Sequence, residues 1–87
     1  MSSLPRTVGV YGGGRMGAGI AHAFVSAGSD VIVVETSPET ADAARARVEA
    51  SLAKAAERGA TGPVGTLTVT TTAADLAGAG LVVEAVP

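Results

Sequence analysis

The residues best suited to chemistry are glycines near the amino terminus, in the segment Gly12-Gly13-Gly14-Arg15-Met16-Gly17. The spacing G-x-G-x-x-G is typical of a loop that holds a dinucleotide. Gly12 permits a tight turn, Gly14 has no Cβ to keep a pyrophosphate from the backbone, and Gly17 permits close packing of a helix on a sheet. Free N–H groups at the start of that helix favour the phosphates. The alternative is a turn with a purely structural role.

An acid, Glu35, lies 18 residues beyond Gly17 and directly follows the apolar run Val31-Ile32-Val33-Val34. At the end of a strand, such a carboxylate accepts hydrogen bonds from the adenosine ribose and repels a 2′-phosphate. Because the next basic residue is Arg45, NAD is favoured over NADP. The alternative is an acid that only ends a strand at the surface. Arg15 is a candidate for a pyrophosphate contact, or an exposed arginine with no specific role.

A strand, a helix and a second strand are needed to position these residues. The runs Val8-Gly9-Val10-Tyr11 and Val31–Val34 predict strands covered on both faces. Between them, spacings of three and four predict an amphipathic helix whose sheet-facing stripe consists of Gly17, Ile20, Ala21, Phe24 and Gly28. A second helix is predicted to begin at Ser37-Pro38-Glu39, with a hydroxyl N-cap and proline in the first turn, and to run to Arg58.

Four further elements follow from turn residues and β-branched runs: a loop over 59–66, a strand over 67–70, a short helix over 72–77 and a fourth strand over 81–86. Thr72 is predicted to cap the short helix, with Asp75 three residues on. Strands that alternate with helices imply right-handed crossovers and a parallel sheet. The expected fold is α/β, a partial Rossmann fold with a doubly wound parallel sheet of strand order 3-2-1-4, in which residues 1–87 form the first part of a dinucleotide-binding domain.

His22 is the single histidine of the sequence and therefore the obvious candidate for proton transfer at neutral pH. At 100° per residue, it lies about 140° from Gly17 around the first helix, which favours a solvent-facing residue. One histidine and no cysteine leave a zinc site without a ligand set.

The second helix carries a polar stripe at i, i+4, i+7 and i+11 that consists of Arg47, Ser51, Lys54 and Arg58. The stripe extends over some 16 Å, at about 1.5 Å per residue. A row of donors of this length suits a long anionic ligand. The alternative is a solvated helix face.

Composition excludes several partners. A net charge of −2, from 6 basic and 8 acidic residues, gives no electrostatic footprint for nucleic acid. The longest run without charge, Met16–Ser29, contains glycines, serines and a histidine, so no membrane span is expected. The start of the sequence lacks the pattern of a secretory signal, and cysteine is absent; a cytoplasmic location is the expectation.

The sequence resembles the amino-terminal NAD-binding region of the L-3-hydroxyacyl-CoA dehydrogenases, a family that includes 3-hydroxybutyryl-CoA dehydrogenase. The resemblance rests on Val8–Ala21, Glu35, Ser51-Leu52 and Leu81–Pro87. It implies that the loop Gly12–Gly17 binds the pyrophosphate of NAD. Glu35 then holds the ribose, where the family usually has Asp.

The same resemblance assigns further contacts. Ala85 and Val86 correspond to the end of a strand that borders the cofactor. Ser51 and Arg58 correspond to positions that contact coenzyme A, the second usually being Lys. The implied reaction is hydride transfer between the C3 hydroxyl of a 3-hydroxyacyl-CoA and NAD, in fatty acid metabolism.

Two departures from the family qualify this expectation. Family members commonly have a further helix where this chain has Gly59–Thr66. Their catalytic His and Glu, and the helical domain that binds substrate and forms the homodimer, follow the position of Pro87. The chain alone is therefore expected to bind NAD without catalysing the reaction. A different β-hydroxyacid dehydrogenase and a non-catalytic NAD-sensing module stay open as alternatives.

Overall fold

A computed structural model describes residues 6–12, 14–59 and 64–84 of the chain. The described elements, in chain order, are β1 (Thr7–Tyr11), α1 (Arg15–Ser26), β2 (Asp30–Val34), α2 (Pro38–Glu57), β3 (Leu67–Thr70), a 3₁₀ helix (Ala73–Gly78) and β4 (Leu81–Glu84). Strands and helices alternate as the sequence predicts.

The four strands form one parallel sheet in the order β3-β2-β1-β4, which confirms the predicted fold class and strand order. Val10 at the centre of β1 is in register with Val33 of β2 and Val83 of β4. The two strands next to β1 thus flank the segment that leads into the glycine loop.

One face of the sheet is packed against both helices. Residues in register share a face of the sheet, and this face carries valines from three strands: Val8, Val10, Val31, Val33 and Val69. The helices contribute small apolar residues to the same core: Ala18, Ala21 and Val25 from α1, and Ala41, Ala44 and Val48 from α2. Because none of these side chains is larger than valine, the helices lie close to the sheet.

The opposite face of the sheet is covered by the 3₁₀ helix. A Cβ placed on Gly9 would stand 2.6 Å from Cδ2 of Leu76, so the missing side chain in β1 lets Leu76 approach the central strand. Val82, on the same face, is 46% exposed. The 3₁₀ helix therefore covers this face only in part.

The predicted ends of α2 are confirmed. The Ser37 hydroxyl accepts a hydrogen bond from the Thr40 backbone N–H at 3.3 Å, and the Thr40 hydroxyl accepts one from the Ser37 N–H at 3.2 Å. This reciprocal pair is a capping box with threonine in the place usual for glutamate. At the other end, Arg58 is the C-cap and Gly59 has φ +93°, a conformation that glycine adopts without strain.

Thr72 is the N-cap residue of the short helix, as predicted, but its side chain makes no capping hydrogen bond, so the predicted side-chain cap is wrong. The short helix is a 3₁₀ helix over Ala73–Gly78. The Asp75 carboxylate instead accepts a hydrogen bond from the Thr70 hydroxyl at 2.8 Å. The Asp75 N–H donates to the Thr72 carbonyl at 3.0 Å, so a backbone bond closes the first turn, and the bond from the Thr70 hydroxyl holds only the Asp75 side chain.

Candidate functional site

The carboxyl ends of the strands bring two predicted site residues to one edge of the sheet. Gly12 follows β1, and its N–H donates to the Val34 carbonyl at 2.9 Å. Glu35 follows β2, and its N–H donates to the Thr70 carbonyl at 2.9 Å. The ladder of hydrogen bonds thus continues one residue beyond each strand. Ligands of open α/β sheets bind in a crevice at this edge.

Gly12 makes the turn out of β1. It is buried and has φ +98°, a conformation that residues with a Cβ rarely adopt. The backbone conformation of this turn therefore explains why the first position of the fingerprint is glycine. Gly13, the next residue of the predicted loop, lies outside the described residues.

Gly14 differs from Gly12 because nothing in the described chain requires a glycine there. Its φ of −61° and ψ of −168° are open to any residue. A Cβ built on Gly14 would meet no atom within 4 Å. The space over this backbone is therefore open to a molecule from outside the chain, as a pyrophosphate held by the loop requires.

The start of α1 is left without a side-chain cap. Gly14 is the N-cap residue, no side chain of the described residues caps the first turn, and that turn contains no acid. In α2, by contrast, the Ser37 side chain caps the first turn and Glu39 places an acid in it. The first N–H groups of a helix and the positive end of its dipole favour an anion. The amino terminus of α1 is thus electrostatically suited to phosphate.

The other residues of the loop lie at the start of α1 with different exposures. Arg15 is exposed, and Met16 is 69% exposed. Gly17 is buried on the face of α1 that packs in the fold, in agreement with a role in close helix packing. Glu35 is half-buried at the neighbouring strand end. The contacts of Arg15, Met16 and Glu35 with a cofactor stay predictions.

The predicted solvent-facing position of His22 is wrong. His22 is half-buried, and its Nδ1 atom is buried with no hydrogen-bond partner among the described residues. The buried residues of α1 are Gly17, Ala18, Ala21 and Val25. His22 lies roughly 85° from the centre of this group at 100° per residue, and not the 140° that Gly17 alone suggests.

The polar stripe of α2 is separate from the glycine loop. Ser51 is half-buried, and Arg58 is exposed at the C-cap. Counted from the N-cap Ser37, they lie about 21 and 31 Å along the helix axis at 1.5 Å per residue. Arg47 and Lys54, also exposed, lie on the same stripe. The structure brings Ser51 and Arg58 together on one helix, far from the carboxyl edge of the sheet.

Two residues at the carboxyl edge were not predicted as site residues. Thr70, the last residue of β3, accepts the Glu35 N–H through its carbonyl and holds Asp75 through its hydroxyl. The signal in the sequence was a threonine at a strand end followed by an acid five residues later. Ala85 and Val86, predicted to border the cofactor, lie outside the described residues.

The described residues offer neither a metal site nor a membrane helix. Within 6–12, 14–59 and 64–84, no three side chains of His, Cys, Asp or Glu are grouped as metal ligands. No helix in these ranges is long and apolar enough to cross a bilayer.

Comparison with solved structures finds the same fold in several enzymes. FadB2 from M. tuberculosis is 37% identical, with a TM-score of 0.86, and the match covers 98% of this chain and 32% of FadB2. (S)-3-hydroxybutyryl-CoA dehydrogenase PaaH1 from Ralstonia eutropha is 29% identical, with a TM-score of 0.82, and the match covers 97% and 32%. 3-Hydroxybutyryl-CoA dehydrogenase from Escherichia coli K12 is 33% identical, with a TM-score of 0.82, and the match covers 97% and 19%.

The chain thus spans about a third of the length of FadB2 and PaaH1. No curated protein was found to match it by sequence. A family model described as "3-hydroxyacyl-CoA dehydrogenase, NAD binding domain" matches residues 7–87, which is nearly the whole sequence and includes the glycine loop and all four strands. The chain belongs to the NAD-binding domain family of the 3-hydroxyacyl-CoA dehydrogenases.

Proposed function

We propose that this chain forms the NAD-binding part of a dehydrogenase of 3-hydroxyacyl-CoA thioesters. The adenosine diphosphate half of NAD lies at the carboxyl edge of the sheet, with its pyrophosphate over Gly14 and its ribose beside Glu35. Arg15, exposed in the first turn of α1, is within the same region and supplies a positive charge to the pyrophosphate.

The observation that carries this proposal is the open space at Gly14. The conformation of Gly14 tolerates any side chain, and a Cβ there would meet nothing within 4 Å. Neither the backbone angles nor any described neighbour requires glycine at this position. A ligand that must touch the backbone at the uncapped start of α1 explains why glycine is present. In an NAD-binding family, that ligand is the pyrophosphate.

Glu35 orients the ribose and sets the choice between NAD and NADP. Its position directly after β2 and beside Gly12 follows from the ladder of hydrogen bonds at the strand ends. A carboxylate there accepts hydrogen bonds from the 2′- and 3′-hydroxyls and repels a 2′-phosphate. Bound NAD supplies a hydride acceptor, and these residues of the chain bind and orient it.

Coenzyme A is the ligand proposed for the polar stripe of α2. Ser51 offers a hydroxyl, while Arg47, Lys54 and Arg58 offer cations on an exposed surface. Phosphate groups are bound well by arginine, which donates two parallel hydrogen bonds. Two of the structurally similar proteins are 3-hydroxybutyryl-CoA dehydrogenases, which supports a CoA thioester as the substrate class.

Calorimetric titration tests the placement of NAD. ADP-ribose contains the half of NAD that the described residues address, so it should bind the chain with an affinity comparable to that of NAD. Nicotinamide mononucleotide should not compete with either ligand. Competition by nicotinamide mononucleotide, together with no binding of ADP-ribose, would contradict the proposal.

A second titration tests the coenzyme A site. Coenzyme A should bind the chain when NAD is already present, because Ser51 and Arg58 lie about 21 and 31 Å along α2 from Ser37, at the end of the helix that follows Glu35. Arg58→Gln should weaken coenzyme A and leave NAD unchanged. Glu39→Gln, at the opposite end of the same helix, is the control. Displacement of NAD by coenzyme A would contradict separate sites.

A further inference from the structure

We propose that Asp75 is a second determinant of dinucleotide choice, a positioned carboxylate near Glu35 that disfavours a nucleotide with a 2′-phosphate. The inference rests on the proposed location of NAD at the carboxyl edge of the sheet. It adds a specificity residue from the 3₁₀ helix that follows β3, a part of the chain that the glycine fingerprint does not include.

Thr70 connects the two acids. Its carbonyl accepts the Glu35 N–H at 2.9 Å, and its hydroxyl donates to Oδ2 of Asp75 at 2.8 Å. The same hydroxyl accepts a hydrogen bond from the Thr72 N–H at 3.1 Å. Because the hydroxyl already accepts from Thr72, its proton is directed to Asp75. The carboxylate is therefore held in place relative to the backbone of Glu35 through a single residue.

The negative charge of Asp75 exceeds what this structural role requires. An amide oxygen would accept the Thr70 hydroxyl as well as a carboxylate does. Among the described residues, Asp75 pairs with no cation. The basic residue that follows Glu35 most closely in the sequence, Arg45, donates from Nη2 to the Val69 carbonyl at 3.3 Å. A ligand at the strand ends would therefore meet a carboxylate charge that no described cation neutralises.

The electrostatic consequence differs between the two dinucleotides. Glu35 follows β2, and Asp75 is held by the hydroxyl of Thr70, the last residue of the neighbouring strand β3. Adjacent strands lie about 4.8 Å apart, so both acids contribute to the potential beyond the strand ends. NADP would bring a phosphate of charge about −1.5 to −2 into this potential, whereas NAD has a neutral hydroxyl there. For an exposed charge some 8 Å away in water, Coulomb's law gives a penalty of about fivefold in affinity.

Asp75→Asn separates charge from position, because asparagine keeps the acceptor for Thr70. The ratio of the dissociation constants of NADP and NAD should fall about fivefold in this variant at low salt, with the NAD constant unchanged. High salt should remove most of the difference between the variant and the unaltered chain. Glu49→Gln, an exposed acid on α2, makes the same change in net charge and should leave the ratio unchanged.

Thr70→Val removes the positioning hydroxyl and keeps the charge. It should lower the ratio by less than Asp75→Asn does, since the freed carboxylate stays nearby.

An unchanged ratio in Asp75→Asn, or an equal fall in Glu49→Gln, would overturn the inference. Weakening of NAD and NADP by the same factor would assign Asp75 a structural role only. Failure of the unaltered chain to bind NAD would overturn the proposed function as well.

Discussion

Gly14→Val separates binding from folding at the glycine loop. Gly14 has backbone angles that valine adopts readily, and its Cβ would meet no atom within 4 Å. The variant should therefore fold with a free energy of unfolding within about 1 kcal/mol of the unaltered chain. If a pyrophosphate lies against this backbone, however, the branched side chain occupies the same space and NAD binding is lost.

The expected change in the midpoint of thermal unfolding can be worked out, because a ligand that binds only the folded chain stabilises it. NAD at ten times its dissociation constant stabilises the unaltered chain by about 1.4 kcal/mol. In a domain of 60 to 100 residues, this raises the midpoint of thermal unfolding by roughly 6–11 °C. A hundredfold loss of affinity in Gly14→Val would leave about 0.06 kcal/mol at the same NAD concentration. The expected shift in the variant is below 1 °C.

Thermal unfolding followed by circular dichroism, with and without NAD, measures both quantities. Gly19→Val is the matched control, because Gly19 is exposed on α1 and a Cβ there also meets nothing within 4 Å. Replacing glycine inside a helix should raise stability by a few tenths of a kcal/mol. The control should keep the full shift with NAD.

Two results with Gly14→Val would contradict these expectations. A full NAD shift in Gly14→Val would show that the pyrophosphate does not lie on this backbone. A loss of several kcal/mol without NAD would show that the chain itself needs glycine at this position, contrary to the space that surrounds it.

Three further substitutions test the surrounding structure. Glu35→Ala should weaken NAD roughly 10- to 100-fold, since hydrogen bonds to a charged group contribute about 1.5–3 kcal/mol; unchanged affinity in calorimetry would remove the carboxylate from the site. Gly65→Ala should cost about 3 kcal/mol in urea unfolding, because its Cβ would overlap the backbone carbonyl of Ser29, and an unchanged midpoint would contradict this packing. Ser37→Ala should cost about 1 kcal/mol through loss of the bond with Thr40, whereas a stability equal to that of the unaltered chain would show that the capping box contributes nothing.

The strands and the ends of α2 could be predicted because local chemistry determines them. The β-branched run Val31–Val34 has few alternatives to a buried strand, and Ser37 followed by Pro38 marks a helix start. Right-handed crossovers give a parallel sheet, and the known connectivity of the dinucleotide-binding fold gives the strand order 3-2-1-4. Each of these predictions depends on neighbours in the sequence or on a general rule of chain connection.

The buried face of α1 could not be predicted in the same way. The apolar residues Ile20 and Phe24 suggested the face that packs on the sheet, but they are only partly buried, at the margin of the core. Ala18 and Val25 are buried instead, because a helix that lies close to a valine-rich sheet has room only for small side chains at the interface. This rotation of the helix also explains why His22 is half-buried.

The link between Thr70 and Asp75 was missed for a different reason. A hydroxyl three residues before an acid is the usual sign of a helix cap, and Thr72 fits that pattern. The structure forms the bond from Thr70, two residues earlier, because the chain leaves β3 in a turn before the 3₁₀ helix begins. Only the path of the backbone distinguishes these two threonines.

Amide chemical shifts recorded during an NAD titration show where the dinucleotide binds. Saturable changes are expected at Gly12, Gly14, Gly17 and Glu35, at the carboxyl edge of the sheet, with little change at Ser29, which follows the carboxyl end of α1. Changes centred on Ser29, or no saturable change up to millimolar NAD, would contradict an NAD site built on the glycine loop.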